Sequence, residues 1–581
     1  MSTARKAQGI GASGGIAIGK AFVLPIWEWD VPEHHIDVTD LAAEFERLYE
    51  GVRHSKLEIT TIKQEISGYI GEQESTIFDA HLAILDDPVF MNEIRGIIQR
   101  QYKAAEVAVK EVIDKFVNMF DLLDDQYMKE RALDIKDVGN RLLKHLIGTP
   151  DVKLPSDNRP FILVAKEVSP SQLAHLNPSR VLGIVTMAGG FTSHASIMAR
   201  AMNIPLVIGL DGKLPEEPIE TGDMLVIDGK QGDVFVNPEE AALVKYAELK
   251  KRQELRRESL QSLAHLPAKT KDGEKLIMLA NITSIKELEA AMMNGAEGVG
   301  LFRTEFIYMD REGFPSEEEQ LEIYRQAATL LNGKPLTIRT LDIGADKQLD
   351  YFELPEEENP VLGFRGIRIS IVQTGPFKTQ LRAVLRASAF GKVRVMFPMV
   401  SSLEQLASAK AVLEEAKTEL RSEGKAFDEH LDVGIMVEVP AAAAIADLLA
   451  DEVDFFSIGT NDLTQYVLAA DRMNEHVAEL YEPFHPAVIR LLAQVADAAA
   501  RSGISVSVCG EMAGDPMALP IWLGMGVREL SMAGALMLPL KSEVLNVSNE
   551  QCEELYRQIK SARTSTEIKS LIQRFGSECG V

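Results

Sequence analysis

The stretch VGIMVEVPAAAAIADLLADEVDFFSIGT, Val433–Thr460, decides the fold. Its two ends are short runs of branched and aromatic residues that suit strands, and its middle, AAAAIADLLAD, has the apolar spacing of a helix. Strand, helix and strand in so short a span form a βα repeat, the unit of parallel-sheet folds.

Working outward, the rhythm recurs. Eight strand-like runs are present, KLIMLAN, GVGLFRT, LTIRTLD, KVRVMFP, VGIMVEV, DFFSIGT, SVSVCGE and ELSMAG. Helical patterns such as SIKELEAAMMN, TQLRAVLRASAF and SLEQLASAKAVLEEAKTEL lie between them. Eight such units predict a C-terminal (β/α)8 TIM barrel over residues 266–581, with a doubly wound open sheet as the structural alternative.

A barrel of this kind carries its chemistry at the C-terminal ends of its strands. Arg303 ends the second run, and Arg339, Asp342 and Lys347 follow the third. Glu438 ends the fifth, Asn461 and Asp462 the sixth, Cys509 and Glu511 the seventh, and Arg472 comes soon after. One charge at a strand end only satisfies a loop, but several acids and bases on one face are costly to bury without partners. The cations suit a phosphate and a carboxylate on one small ligand, because the guanidinium fork matches both. Glu438 and Asp462 offer the hard oxygen ligands that magnesium takes. The combination predicts phosphoryl transfer on a small dianionic acid, with a metal balancing charge. Cys509 has two readings, a buried small hydrophobe, which is the usual case, and a proton donor.

Upstream the texture differs. The chain is Gly-rich up to Pro25 and ends there in a short strand, AIGKAFVLP. From Asp40 to His145 apolar residues recur at helical spacing, as in IFDAHLAILDD, which predicts a block of roughly four helices and by default a plain bundle. From Arg159 strands and helices alternate in PFILVAK, VLGIVTMA, PLVIGL, DMLVIDG and GDVFVN, a small α/β unit into which the helical block is inserted. NPEEAALVKYAELKKRQELRRESLQ reads as a charged connector helix, capped by Asn237, with Pro238 in its first position and Glu240 completing a capping box.

Within the α/β unit stands GGFTSHASIMAR, Gly189–Arg200. Gly189 and Gly190 permit unusual backbone angles and close approach, and Thr192 or Ser193 can cap a helix. His194 then sits in the first helical turn, where free N–H groups and the positive dipole end favour an anion. Taken alone, the stretch is read equally well as a tight turn before a packed helix.

Bulk properties narrow the function. A chain of 581 residues is too long for one core, and 46% hydrophobic with 25% charged residues is the composition of a soluble globular protein. A net charge of -26 argues against nucleic acid or an anionic membrane as the main partner. Cys509, Cys552 and Cys579 have neither metal-site nor disulfide-framework spacing, which suits the cytoplasm. The glycine-rich N-terminus is not a signal peptide, and no apolar run is long enough to span a bilayer.

GGFTSHASIMAR, GVGLFRTEF, RTLDIGADK, ENPVLGFRGIRI, ASAFGKVRVMFPM, MVEVPAAA, DFFSIGTNDLTQY and CGEMAGD together resemble the enzyme I family of the bacterial phosphotransferase system, the phosphoenolpyruvate–protein phosphotransferases. The resemblance extends from GIGASGGIAIGKAF to the C-terminal helices. It implies a multidomain α/β chain: a swivelling phosphohistidine domain from 1–25 and 148–236, a helical insertion at 26–147 that binds the carrier HPr, a linker helix at 237–265, and the barrel, which binds phosphoenolpyruvate and forms a homodimer. It implies that His194 takes the phosphoryl group from phosphoenolpyruvate and passes it to a histidine of HPr, the first step of sugar uptake. By position, Glu438 and Asp462 would bind Mg2+; Arg303, Arg339, Lys347, Asn461, Asp462 and Arg472 would hold phosphoenolpyruvate, with Arg365 nearby; and Cys509 would protonate the enolate. The chain departs from the family at Leu173, where a threonine is usual, at Phe191, where many members carry arginine, and at Ala345, in place of a glycine.

Two rivals share these parts. A dikinase or synthase acting on phosphoenolpyruvate needs a long ATP-binding domain for which this sequence has neither room nor a phosphate loop, and labelling by ATP alone would identify it. A regulatory binding module that has lost turnover would release no pyruvate, and the full set of charged residues argues against it.

Overall fold

The computed structural model describes residues 5–24, 31–70, 77–121, 126–148, 159–174, 180–190, 194–213, 218–309, 311–344, 349, 351–474 and 476–579. They divide into two compact units, Met1–Leu255 and Arg256–Val581.

The first unit contains β1 (Arg5–Gln8), β2 (Ile10–Ser13), β3 (Ile16–Val23), β4 (Phe161–Ala165), β5 (Val181–Thr186), β6 (Leu206–Ile208), β7 (Met224–Asp228) and β8 (Asp233–Val236). They form one sheet in the order β1-β8-β7-β3-β4-β5-β6-β2. β3 pairs in parallel with β4, from Lys20 opposite Phe161 to Val23 opposite Val164, although the whole helical block lies between them in the chain. Alternate residues of β4 point to opposite faces. Phe161 and Leu163 join Leu48, Ile94 and Leu142 of the helices in one hydrophobic cluster. Ile162 and Val164 pack on the other face with Val185, Val207 and Ile227.

Five helices are described between β3 and β4, Leu41–Ile70, Ile77–Asp86, Pro88–Gln101, Ala105–Asp121 and Gln126–Ile147, one more than the spacing predicted. One of the breaks is at Asp87. Its carboxylate accepts from the Val89 and Phe90 amides at 2.6 and 3.0 Å, and Pro88 occupies the first helical position. A capping acid followed by proline stops one helix and starts the next.

The connector helix runs from Glu240 to Ser262, with Tyr246 as its buried residue. Its start differs from the expected capping box. Asn237 stands ahead of the helix with a left-handed φ of 46°, not the extended backbone of a capping residue; its Oδ1 accepts from Met224 N at 2.9 Å and its Nδ2 donates to Asp223 Oδ1 at 2.8 Å. This side chain ties the end of β8 to the start of β7.

The second unit contains β9 (Ile277–Ile282), β10 (Val299–Arg303), β11 (Leu336–Arg339), β12 (Val393–Phe397), β13 (Asp432–Val437), β14 (Phe455–Ile458), β15 (Ser505–Val508) and β16 (Glu529–Met532). Each overlaps one of the eight strand-like runs, with β9 extending one residue past its run and β13 starting one residue before. β16 pairs in parallel with β9, from Glu529 opposite Ile277 to Met532 opposite Ala280, so the sheet closes into a barrel and the open-sheet alternative falls. Leu301, Met396, Met436, Phe455 and Cys509 cluster on the inward side of the strands. The outward residues pack under a ring of helices whose starts are set by sequence. Ser284 and Ser402 accept from Glu287 N and Gln405 N, and Ser316 forms a complete capping box with Glu319. Among the described residues no helix is long and apolar enough to cross a membrane.

Candidate active site

Register alone gathers the charged residues at one rim. Arg303 lies opposite Arg339, and Arg339 opposite Met396. Val437 lies opposite Ile458, and Ile458 opposite Val508. The residues that follow these strands, Glu438, Asn461 with Asp462, and Cys509, therefore emerge at the same end of the barrel. Asp462 sits in the first turn of the helix Thr460–Leu468.

Two arginines are buried in an acidic frame. Arg339 Nη2 donates to Glu305 Oε1 at 2.8 Å, and its Nη1 lies 3.2 Å from Asp342 Oδ2. Arg365 Nη2 lies 3.1 Å from Asp342 Oδ2 and 3.5 Å from Asp462 Oδ2, and its Nη1 donates to the Tyr466 hydroxyl at 3.2 Å. Burial works to lower the pKa of Arg339, but Glu305, Asp342 and Glu438 outweigh it and hold the pKa above the usual value. Arg365 is raised in the same way, by Asp342, Asp462 and Glu438 against burial. Both cations are permanent, and each keeps one donor in reserve: among the described residues the buried Nε atoms of Arg339 and Arg365 have no hydrogen-bond partner. A buried N–H left unpaired costs about 1–3 kcal/mol, which an anionic ligand would relieve. Arg303 is half-buried and makes no ion pair among the described residues, and Arg472 is exposed beside Tyr481.

The carboxylates pull the other way. Glu438 is 1% exposed, and its pKa is pushed up to about 8, chiefly by burial and then by Asp462 and Asp342, against the opposing pull of Arg339 and Arg365. One oxygen of Glu438 accepts from Met399 N at 2.7 Å. Met399 reaches it from a left-handed backbone, φ 55°, uncommon for a residue with a side chain and a form of strain that collects at functional sites. The other oxygen faces Gly459, where an added Cβ would come within 2.9 Å. Two acidic side chains, mutually repelling and kept open by a glycine, make an oxygen-only donor pair that fits a hard divalent cation.

Cys509 is 3% exposed. Its amide donates to Ile458 O at 3.0 Å, and its carbonyl accepts from Asn281 Nδ2 at 3.0 Å. Burial pushes its pKa up to about 11, so it remains a thiol at neutral pH, a state with a proton to give. Asn461 is held by Glu511 through reciprocal bonds of 3.0 and 2.9 Å.

The structure thus brings together Arg303, Arg339, Arg365, Glu438, Asn461, Asp462 and Cys509 at the rim, with Arg472 on the adjoining loop. Lys347 and Ala345 lie outside the described residues. His194 opens the helix His194–Ala201, and its side chain, like Phe191, Thr192 and Ser193, also lies outside the described part. Gly189 ahead of it takes φ +118°, the freedom expected of it. Leu173 is buried in the same hydrophobic cluster as Met198 and Ala199 of that helix, so at this position the chain packs where a hydroxyl would bond. Sequence reasoning missed Glu305. It stood in the quoted GVGLFRTEF, but an acid two residues after an arginine reads as a local pair, and its partner is Arg339 on the next strand.

Three family descriptions match the chain: "PEP-utilising enzyme, PEP-binding domain" at residues 257–549, "PEP-utilising enzyme, N-terminal" at 8–131, and "PEP-utilising enzyme, mobile domain" at 158–232. A phosphoenolpyruvate-protein phosphotransferase of Geobacillus stearothermophilus is 44% identical over 566 residues, 97% of this chain and 97% of its own. One from Staphylococcus aureus is 42% identical over 573 residues, covering 98% and 99%, and one from Listeria innocua is 41% identical over 575 residues, covering 99% and 100%.

Proposed function

The chain belongs to the phosphoenolpyruvate-protein phosphotransferase family, and from that premise we propose that its barrel binds phosphoenolpyruvate and phosphorylates its own His194. The observation that carries this reading is the pair of buried Nε donors, unpartnered among the described residues, on two permanently charged arginines at the barrel rim. They meet the requirement of a small molecule carrying both phosphate and carboxylate.

Arg303, Arg339, Lys347, Arg365, Asn461 and Arg472 hold the substrate in this reading. Glu438 and Asp462 hold Mg2+, which when bound neutralises charge on the transferring phosphoryl group. The ring of His194 attacks phosphorus. The bond from phosphorus to the enol oxygen breaks as the bond to nitrogen forms, and the electron pair stays on the enolate. Cys509 gives its Sγ proton to the enolate carbon, leaving pyruvate. The phosphoramidate bond remains reactive enough to pass the group to a histidine of HPr, which docks on the helical block. The units divide at 1–25 with 148–236, at 26–147, at 237–265 and at 266–581. The protein works in the cytoplasm as a homodimer through the barrel, at the first step of sugar uptake.

Intact-mass analysis after adding phosphoenolpyruvate and magnesium tests the reading. One acid-labile, base-stable phosphoryl group per chain is expected, absent from His194→Ala. A His194→Ala chain that labels fully, or a wild-type chain labelled by ATP alone, overturns it.

A further inference from the structure

We propose that Glu305 is a positioning residue for phosphoryl transfer, aiming the Arg339 guanidinium and fixing the Asp342 turn; this rests on the reading that Arg339 holds phosphoenolpyruvate. Glu305 lies in the single-turn helix Thr304–Ile307 that follows β10, with 0% exposure. One of its oxygens, Oε1, receives both Arg339 Nη2 at 2.8 Å and the Asp342 amide at 3.2 Å. A carboxylate in that position fixes the side chain of one site residue and the backbone of another at once.

The neighbouring groups brace the same segment, Arg339 to Asp342. Thr304 Oγ1 donates to the Arg339 carbonyl at 2.8 Å. Gln380, fully buried on the helix Thr374–Ala387, donates to Thr304 Oγ1 at 3.1 Å and accepts from the Leu341 amide at 2.9 Å. The chain from Arg339 to Asp342 is therefore held at the 339 carbonyl and at the 341 and 342 amides by side chains from elsewhere. The guanidinium is held at both ends, Nη2 on Glu305 and Nη1 between Asp342 and Met436 Sδ, the latter at 3.7 Å. That orientation leaves Nε as the donor without a partner among the described residues.

The chemistry argues for geometry over affinity. A buried carboxylate against Arg339 weakens that arginine's pull on an anion, and burying it is costly, so a site built only to bind tightly would omit it. Transfer, however, loses about a hundredfold when a catalytic group is misplaced by about 1 Å. Charge-assisted bonds are the ones that hold a planar guanidinium in one orientation.

Single-turnover phosphorylation of His194 by phosphoenolpyruvate, in the full chain with magnesium, tests the proposal. Glu305→Gln keeps size and one acceptor oxygen but removes the charge. Its maximal rate should fall about tenfold while the phosphoenolpyruvate concentration for half-maximal rate stays the same or drops. Arg339→Lys should be impaired in both, and the double variant should be no slower than Arg339→Lys alone, because Glu305 acts through Arg339. If thermal scans show that Glu305→Gln does not fold, Glu305→Asp is read by the same criteria. A Glu305 variant with wild-type maximal rate, or a double variant whose losses multiply, overturns the proposal while leaving the substrate reading intact. An Arg339→Lys chain that phosphorylates normally overturns both.

Discussion

Arg365 Nη2 lies 3.1 Å from Asp342 Oδ2, and both side chains are almost wholly withdrawn from water, at 9% and 2% exposure. The contact ties the loop before the helix Ile367–Val372 to the turn after β11, so the two buried arginines and the acidic frame form one buried network. Removing one partner of such a pair leaves a buried charge unbalanced, at a cost of about 3–5 kcal/mol. Arg365→Ala should lower the unfolding free energy of the barrel by an amount near the bottom of that range, since Arg339 still faces Asp342 at 3.2 Å. Adding Asp342→Asn should recover part of the loss. Denaturant unfolding of the four chains measures this, and additive losses would show that the pair is not coupled.

Glu438 makes stability depend on pH. Its folded pKa of about 8 stands above the usual 4.5, so between those values the folded chain holds a proton that the unfolded chain has released. The stabilisation is present below about pH 4.5 and is lost as pH rises towards 8. Glu438→Gln, which mimics the protonated form, removes this slope. The variant should gain about 3 kcal/mol relative to wild type between pH 5 and pH 8, measured without metal. A difference that stays flat with pH refutes the assignment.

Lys541 is 2% exposed and donates to three backbone carbonyls, Leu263 at 3.2 Å, Ala264 at 3.2 Å and Leu266 at 2.9 Å. Lys541→Met keeps the stem and leaves those acceptors unsatisfied, a loss of about 2–3 kcal/mol. Hydrogen exchange should quicken around residues 263–268, while His194 phosphorylation at low temperature stays near wild type. Unchanged exchange there would mean that water replaces the ammonium without cost.

Cys509 should behave as a stubborn thiol. With its pKa pushed up to about 11 by burial, it should alkylate far more slowly at pH 8 than Cys579, which is partly exposed. Cys509→Ala should still phosphorylate His194, with solvent protonating the enolate and stereochemical control over the new C–H bond lost. Retained stereochemistry in that variant, read from pyruvate formed in deuterated water with labelled substrate, removes Cys509 as the donor.

The sequence by itself determined the barrel, because strand and helix periodicities are local and each of the eight runs carries its own branched, buried pattern. It also determined which residues stand at the rim, since strand ends follow from those patterns: Arg303, Arg339, Glu438, Asp462 and Cys509 were all legible. Local reading overreached where a polar side chain has a distant alternative. Asn237 reads as a cap, but the start of β7 offers it a donor and an acceptor that only folding brings near. Tertiary structure alone decided the pairing: Glu305 with Arg339, Asp342 between two arginines, and Met399 bent into a left-handed turn to reach Glu438. Apart from the Arg339–Asp342 contact, these join residues far apart in the chain, and their strength comes from the exclusion of water, which exists only once the strands have closed.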